Sequence, residues 1–237
     1  MPRKWHEAPS PLFSDREAAA IRDWVAAGGS LFFASGSAKE ESGQMLLGRI
    51  GVQFYQTYVV DRELTVPPSQ SSSSGGIRFS REKDFFGDHK ILTGRSESER
   101  LDAVSFNGIE AIRKVPENAV TLIHYSEKAL LMPRDAFLER RLAEEAKQLG
   151  INGKTETAAE PSPLTTPSPV PKSPVAVAFI LGKGRVVVIG SGSTISSVVM
   201  RRTVPGAGPV SEKVGLTEVD NQKFTLNVMH WLAGLLD

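Results

Sequence analysis

The sequence contains no cysteine, which excludes disulfide cross-links, thiolate metal ligands and a cysteine nucleophile together. It lacks an excess of either charge: 28 Lys and Arg stand against 27 Asp and Glu. No basic face is therefore implied for nucleic acid or anionic lipid, and nucleic acid is not an expected partner. Long apolar runs are missing too. The opening MPRKWHEAPSPLF has no apolar core of a signal peptide, and no later stretch approaches the ~20 apolar residues of a membrane span. The expectation for the chain as it stands is a soluble, cytoplasmic protein.

What is present suffices for a packed interior, since 237 residues with 40% hydrophobic content fit one large domain. Ser14 and Glu17 form an S-x-x-E capping box that starts a helix. Ala18, Ile21, Trp24 and Val25 recur on it at helical spacing, and Gly28 with Gly29 supplies a left-handed stop before the strand SLFFA, 30–34. AKEESGQMLLGRIG predicts a second helix carrying Met45, Leu46, Leu47 and Ile50. VQFYQTYVVDRELTV follows as one or two strands, then a Ser-rich loop at 67–76.

RLDAVSFNG and AVTLIHY read as strands joined by a short polar connection, and 135–149 as an amphipathic helix with Leu138, Leu142, Ala146 and Leu149 on one stripe. Residues 152–174 form a proline-rich insertion, expected to be extended or without fixed structure. VAVAFILGKGRVVVIG reads as an antiparallel hairpin turning at Gly182, Lys183 and Gly184. The last helix opens at Asp220 or Asn221, either of which can cap it. Phe224, Val228, Trp231 and Leu235 step along one face of that helix, with Asn227 on the apolar side, where its amide must find hydrogen bonds.

Strands alternating with helices predict one α/β domain over 1–237: a doubly wound, mostly parallel sheet with helices on both faces and an antiparallel hairpin near the C-terminus. In such a sheet a helix leaves one strand and enters the next. Nothing ahead of the first helix reads as its feeding strand.

The segments FSDREAAAIRDWVAAGGSLFFAS, GDHKILTG, GKGRVVVIGSG and DNQKFTLNVMHWLAGLL, in that order, resemble a bacterial family on the class I glutamine amidotransferase-like, flavodoxin-like fold. Relatives on that fold include trehalose-utilisation-like proteins and trimerisation domains of some β-galactosidases. The resemblance implies a strand and helix ahead of this segment. The expectation is a truncated start whose missing piece could carry an export signal, making the protein secreted or periplasmic. Many relatives place an Asp-His pair after the first strand, where this chain has SGSAKEE, and an acidic residue after the glycine, where it has GSGSTISS. The amidotransferase cysteine has no counterpart, so no amidotransferase activity is expected.

In open α/β sheets ligands bind beyond the carboxyl ends of the strands. The candidate ligand-binding residues there are Ser35, Gly36 and Ser37 after one strand, Gly190, Ser191 and Ser193 after another, and Asp220 with Asn221 at the last helix. Small residues let backbone N–H groups approach an anion or a sugar hydroxyl, and the same residues also serve as plain turns and caps. Neither glycine-rich run fits a phosphate loop or a dinucleotide fingerprint. Glycine at the centre of ASGSA and GSGST breaks the G-x-S-x-G nucleophile pattern.

The four histidines, His6, His89, His124 and His230, show no metal-ligand spacing. His124 lies in an apolar strand as a core or sheet-edge residue, and His89 fixes a loop. Asp88 beside His89 keeps an acid–base role open. No catalytic residue, metal or cofactor is assigned. The expectation is a non-catalytic binding or assembly module with a protein or carbohydrate partner, tied to an envelope or carbohydrate-related system. The alternative is a hydrolase using Ser35 or Ser191.

Overall fold

The computed structural model describes residues 13–35, 43–55, 58–61, 63–64, 77–106, 110–132, 167–204 and 208–236. The Ser-rich loop at 67–76, the predicted helix at 135–149 and the proline-rich stretch up to 166 lie outside them.

The capping box forms as the sequence predicts. The Glu17 N–H donates to Ser14 Oγ at 3.3 Å, and the Ser14 N–H donates to Glu17 Oε2 at 2.8 Å. Two donors orphaned by a helix start are thereby satisfied. Helix α1 (Asp15–Ala26) buries Ala18 and Val25. It stops at Gly28, whose φ of 125° favours a residue without Cβ, and the chain enters β1 (Ser30–Ala34).

There follow α2 (Gln44–Arg49), β2 (Gln53–Phe54), β3 (Tyr58–Val60), β4 (Ile77–Ser80) and the one-turn α3 (Lys90–Thr93). Next come β5 (Ala103–Phe106), β6 (Ile112–Lys114), β7 (Val120–His124), β8 (Leu130–Met132) and β9 (Ser168–Pro169). The chain closes with β10 (Pro174–Leu181), β11 (Gly184–Ile189), β12 (Ser197–Val204), β13 (Gly208–Gly215) and α4 (Asn221–Leu232).

The central sheet has the order β1-β11-β10-β7, and both of its faces are covered. Alternation along β11 sends Val186 and Val188 into a core shared with α1 and α2, while Val187 and Ile189 join Phe224, Val228 and Trp231 of α4 on the other face. Phe224 meets Phe106 edge to face at 6.3 Å, a favoured aromatic geometry.

The sheet is mixed, and this corrects the expectation of a doubly wound, mostly parallel one. Of its described strands only β1 and β11 run parallel; β10 is antiparallel to both β11 and β7. The connections give the reason. Helix α2 leads into β2, which pairs with β6 outside the central sheet, so the α-β-α-β order in sequence is not a series of crossovers. A tight turn between β10 and β11 joins antiparallel neighbours.

Further differences are local. The connection between β5 and β7 contains β6, and Ser168–Pro169 of the proline-rich run pairs with β8. Leu235 does not continue the buried stripe of α4. The helix ends at Leu232, and after the left-handed Gly234 it is Leu236 that is buried while Leu235 is exposed. Residues 197–204 and 208–215, which carry no clear period in sequence, pair as an antiparallel ribbon from Ser197↔Gly215 to Val204↔Gly208.

Candidate functional site at the carboxyl rim

Because β1 and β11 are parallel, their carboxyl ends emerge side by side, bringing Ser35 to Gly190. The Ser35 N–H donates to the Ile189 carbonyl at 2.9 Å, and the Gly192 N–H donates to the Ser35 carbonyl at 2.5 Å. The Ser35 hydroxyl donates to Glu110 Oε2, also at 2.5 Å. Glu110 is only 5% exposed. Its N–H donates to the Gly190 carbonyl, and the Gly190 N–H to the Val175 carbonyl, each at 2.8 Å. A Cβ on Gly190 would lie 2.0 Å from the Glu110 carbonyl oxygen, so this approach requires glycine.

Sequence reasoning passes over Glu110. Its contact with Ser35 spans 75 positions, and the only local signal is a lone acid between Ile109 and Ala111 at the entry to a strand. Gly36 and Ser37 lie outside the described residues.

Ser191 is buried, with its Oγ 2.7 Å from Ser193 Oγ. Ser191 precedes, and Ser193 lies within, a 3-10 turn, Gly192–Ile195, that packs on α4, β5 and β13. Thr194 Oγ1 is buried there without a hydrogen-bond partner among the described residues.

The last helix joins this region through its first residues, but neither side chain caps the helix in the expected way. Asp220 Oδ2 accepts from the Asp102 and Ala103 N–H groups at 2.8 and 3.1 Å, and Oδ1 pairs with Lys223 Nζ at 3.0 Å. Burial alone would raise the Asp220 pKa. The two backbone donors and Lys223 outweigh it and hold the carboxyl below its ordinary range. Asn221 is fully buried. Its Oδ1 accepts from the Ser105 N–H at 2.8 Å, and its Nδ2 donates to the Ser105 and Gly215 carbonyls at 2.9 and 2.8 Å. Both residues thus stitch α4 to β5, and Asn221 also holds the foot of β13.

Of the described histidines, His89 and His124 are engaged by backbone groups. His89 Nδ1 accepts from the Ile91 N–H at 3.1 Å and so caps α3. His124 Nδ1 lies 2.8 Å from the Tyr125 carbonyl; a carbonyl only accepts, so this nitrogen carries the proton. His230 Nδ1 is buried without a partner among the described residues. Asn227 donates to the Ile91 and Glu99 carbonyls, both at 2.9 Å, satisfying the amide as its position on the apolar stripe demands.

A buried polar group lies deeper. Asp61 accepts from the Ser126 N–H at 2.7 Å and the Ser126 hydroxyl at 2.9 Å. Burial, with the negative charges of Asp61 and Glu110, pushes the Tyr125 phenol well above its ordinary pKa. Among the described residues, no group of three or more His, Asp or Glu side chains could hold a metal ion, and no helix is long and apolar enough to cross a membrane.

No protein-family model matches the chain, and no curated protein matches it. Among solved structures it is similar to one titled "mmIFT52 N-terminal domain", with a TM-score of 0.52 over 93% of this chain and 72% of that one, at 13% sequence identity. That likeness concerns the fold. Together with the mixed sheet it overturns the resemblance to the amidotransferase-like, flavodoxin-like family.

Proposed function

We propose that the chain is a non-catalytic binding or assembly module. One observation carries this reading: the hydroxyl of the rim serine, Ser35, is held by the buried carboxylate of Glu110. A serine nucleophile needs a base that removes its proton and an opening through which a substrate reaches it. Glu110 as a carboxylate is a weak base toward an alcohol, and Ser35 is itself buried. Ser191 is more deeply buried, and its hydroxyl is engaged with Ser193. Backbone hydrogen bonds from Gly192 to Ser35 and from Glu110 to Gly190 tie these residues together.

A fluorophosphonate probe, which reacts with activated serines, tests the reading. The expected outcome is no labelling at Ser35 or Ser191. Labelling that disappears in Ser35→Ala or Ser191→Ala would overturn it.

A further inference from the structure

The β12–β13 ribbon pairs eight residues with eight and forms a sheet of two strands only, among the described residues. Its substantial contact with another described element is through β13, at the Gly192–Ile195 turn. Val199 on β12 is 53% exposed. A lone two-stranded ribbon is marginal in water and presents two rows of backbone donors and acceptors.

The two edges are not equivalent. β13 begins Gly208–Pro209 and ends in Gly215, and proline removes an N–H from the ladder and blunts an edge. β12, SVVMRRTV, contains neither glycine nor proline and extends roughly 27 Å at ~3.4 Å per residue.

We propose that β12 is a strand-addition site that takes an extended, acidic segment of a partner protein as a third strand. This rests on the reading of the chain as a binding module and names its partner class. Backbone pairing supplies affinity in such complexes, and side-chain chemistry supplies selectivity. The strand sequence holds Arg201 and Arg202 and no acid, which complements a negatively charged segment. A second copy fits poorly, because antiparallel self-pairing brings like charges together. One edge of eight residues also covers well under the ~800 Å² per side of a stable dimer.

The test uses the full chain and two capped synthetic octapeptides, one alternating valine with glutamate and the other valine with lysine, read by amide hydrogen exchange. The valine–glutamate peptide is expected to slow exchange over 197–204 at least tenfold and the valine–lysine peptide to leave it unchanged. Val199→Pro, which deletes a β12 N–H, should abolish the slowing. Should that variant melt the ribbon, Arg201→Glu with Arg202→Glu is expected to invert the preference between the two peptides. No slowing with either peptide, equal slowing with both, an uninverted preference, or protection arising from dimerisation without peptide would each overturn the proposal. Fluorophosphonate labelling of the same samples separates the two readings. Labelled serines with intact peptide protection refute only the non-catalytic reading, and absent protection with unlabelled serines refutes only the strand-addition site.

Discussion

Strands β10 and β12 are both eight residues long and rich in valine, yet they live in opposite surroundings. In β10 residues from Val175 to Phe179 are buried between two helical layers. In β12 Val199 faces solvent, and the strand has one neighbour among the described residues. A strand-forming sequence therefore says that a segment can pair and leaves open whether the partner comes from the same chain. The β10 region is stabilised by burial, and the ribbon by its ladder and its foot. Substitutions should separate the two regions sharply.

The largest effect is expected in the core. Phe224→Ala removes a fully buried ring and should lower stability by about 3–5 kcal/mol, measured as a shift in the urea midpoint with unchanged slope. Next comes Asn221→Ala at the junction. It strands the Ser105 N–H and the Ser105 and Gly215 carbonyls, and with water admitted to the space the side chain leaves, the cost should be about 1–3 kcal/mol in total. Because Gly215 ends β13, this variant should also speed exchange in the ribbon, whereas Phe224→Ala acts on the whole fold.

His89 gives a smaller, pH-dependent effect. Burial foremost, with Arg185 adding to it and Asp88 opposing it, lowers the His89 pKa. A lowered folded pKa means that the unfolded chain binds the proton first. The contribution is therefore complete above the unfolded value of about 6.5 and is lost as pH falls from there through the folded value. Protonation would also turn Nδ1 into a donor and end the cap on Ile91. His89→Asn should retain the cap and flatten stability across that window, while His89→Ala should cost about 1 kcal/mol at neutral pH; chemical denaturation from pH 5 to 8 distinguishes them. Smallest of all, Val199→Ser should change stability by less than about 0.5 kcal/mol. A loss of about 2 kcal/mol there, the size of a buried-side-chain deletion, would mean that the ribbon is buried after all.

Local signals make much of the scaffold legible. The S-x-x-E box places α1, glycines mark its end and the β10–β11 turn, and the four-three spacing of Phe224, Val228 and Trp231 exposes the buried face of α4. Strand direction is legible for the β10–β11 hairpin, whose short glycine turn dictates antiparallel pairing, but not for the rest of the sheet, because alternating helices and strands in sequence do not state which strands pair. β12 gives no signal because VVMRR has no two-residue period. The rim serines are visible as small residues after strands, but Glu110, which accepts the Ser35 hydroxyl, meets it only through the tertiary fold. Asp220 and Asn221 stand out as polar residues at a helix start, and their actual partners on β5 and β13 lie beyond any sequence window.

The contrast between the central sheet and the β12–β13 ribbon can be measured directly by native-state hydrogen exchange on the unliganded chain. The amides of Val186–Ile189 should exchange only through global unfolding, and those of 198–203 at least a hundredfold faster, by local opening. Equal protection in the two segments would contradict the account, because the ribbon would then already be held as firmly as the core.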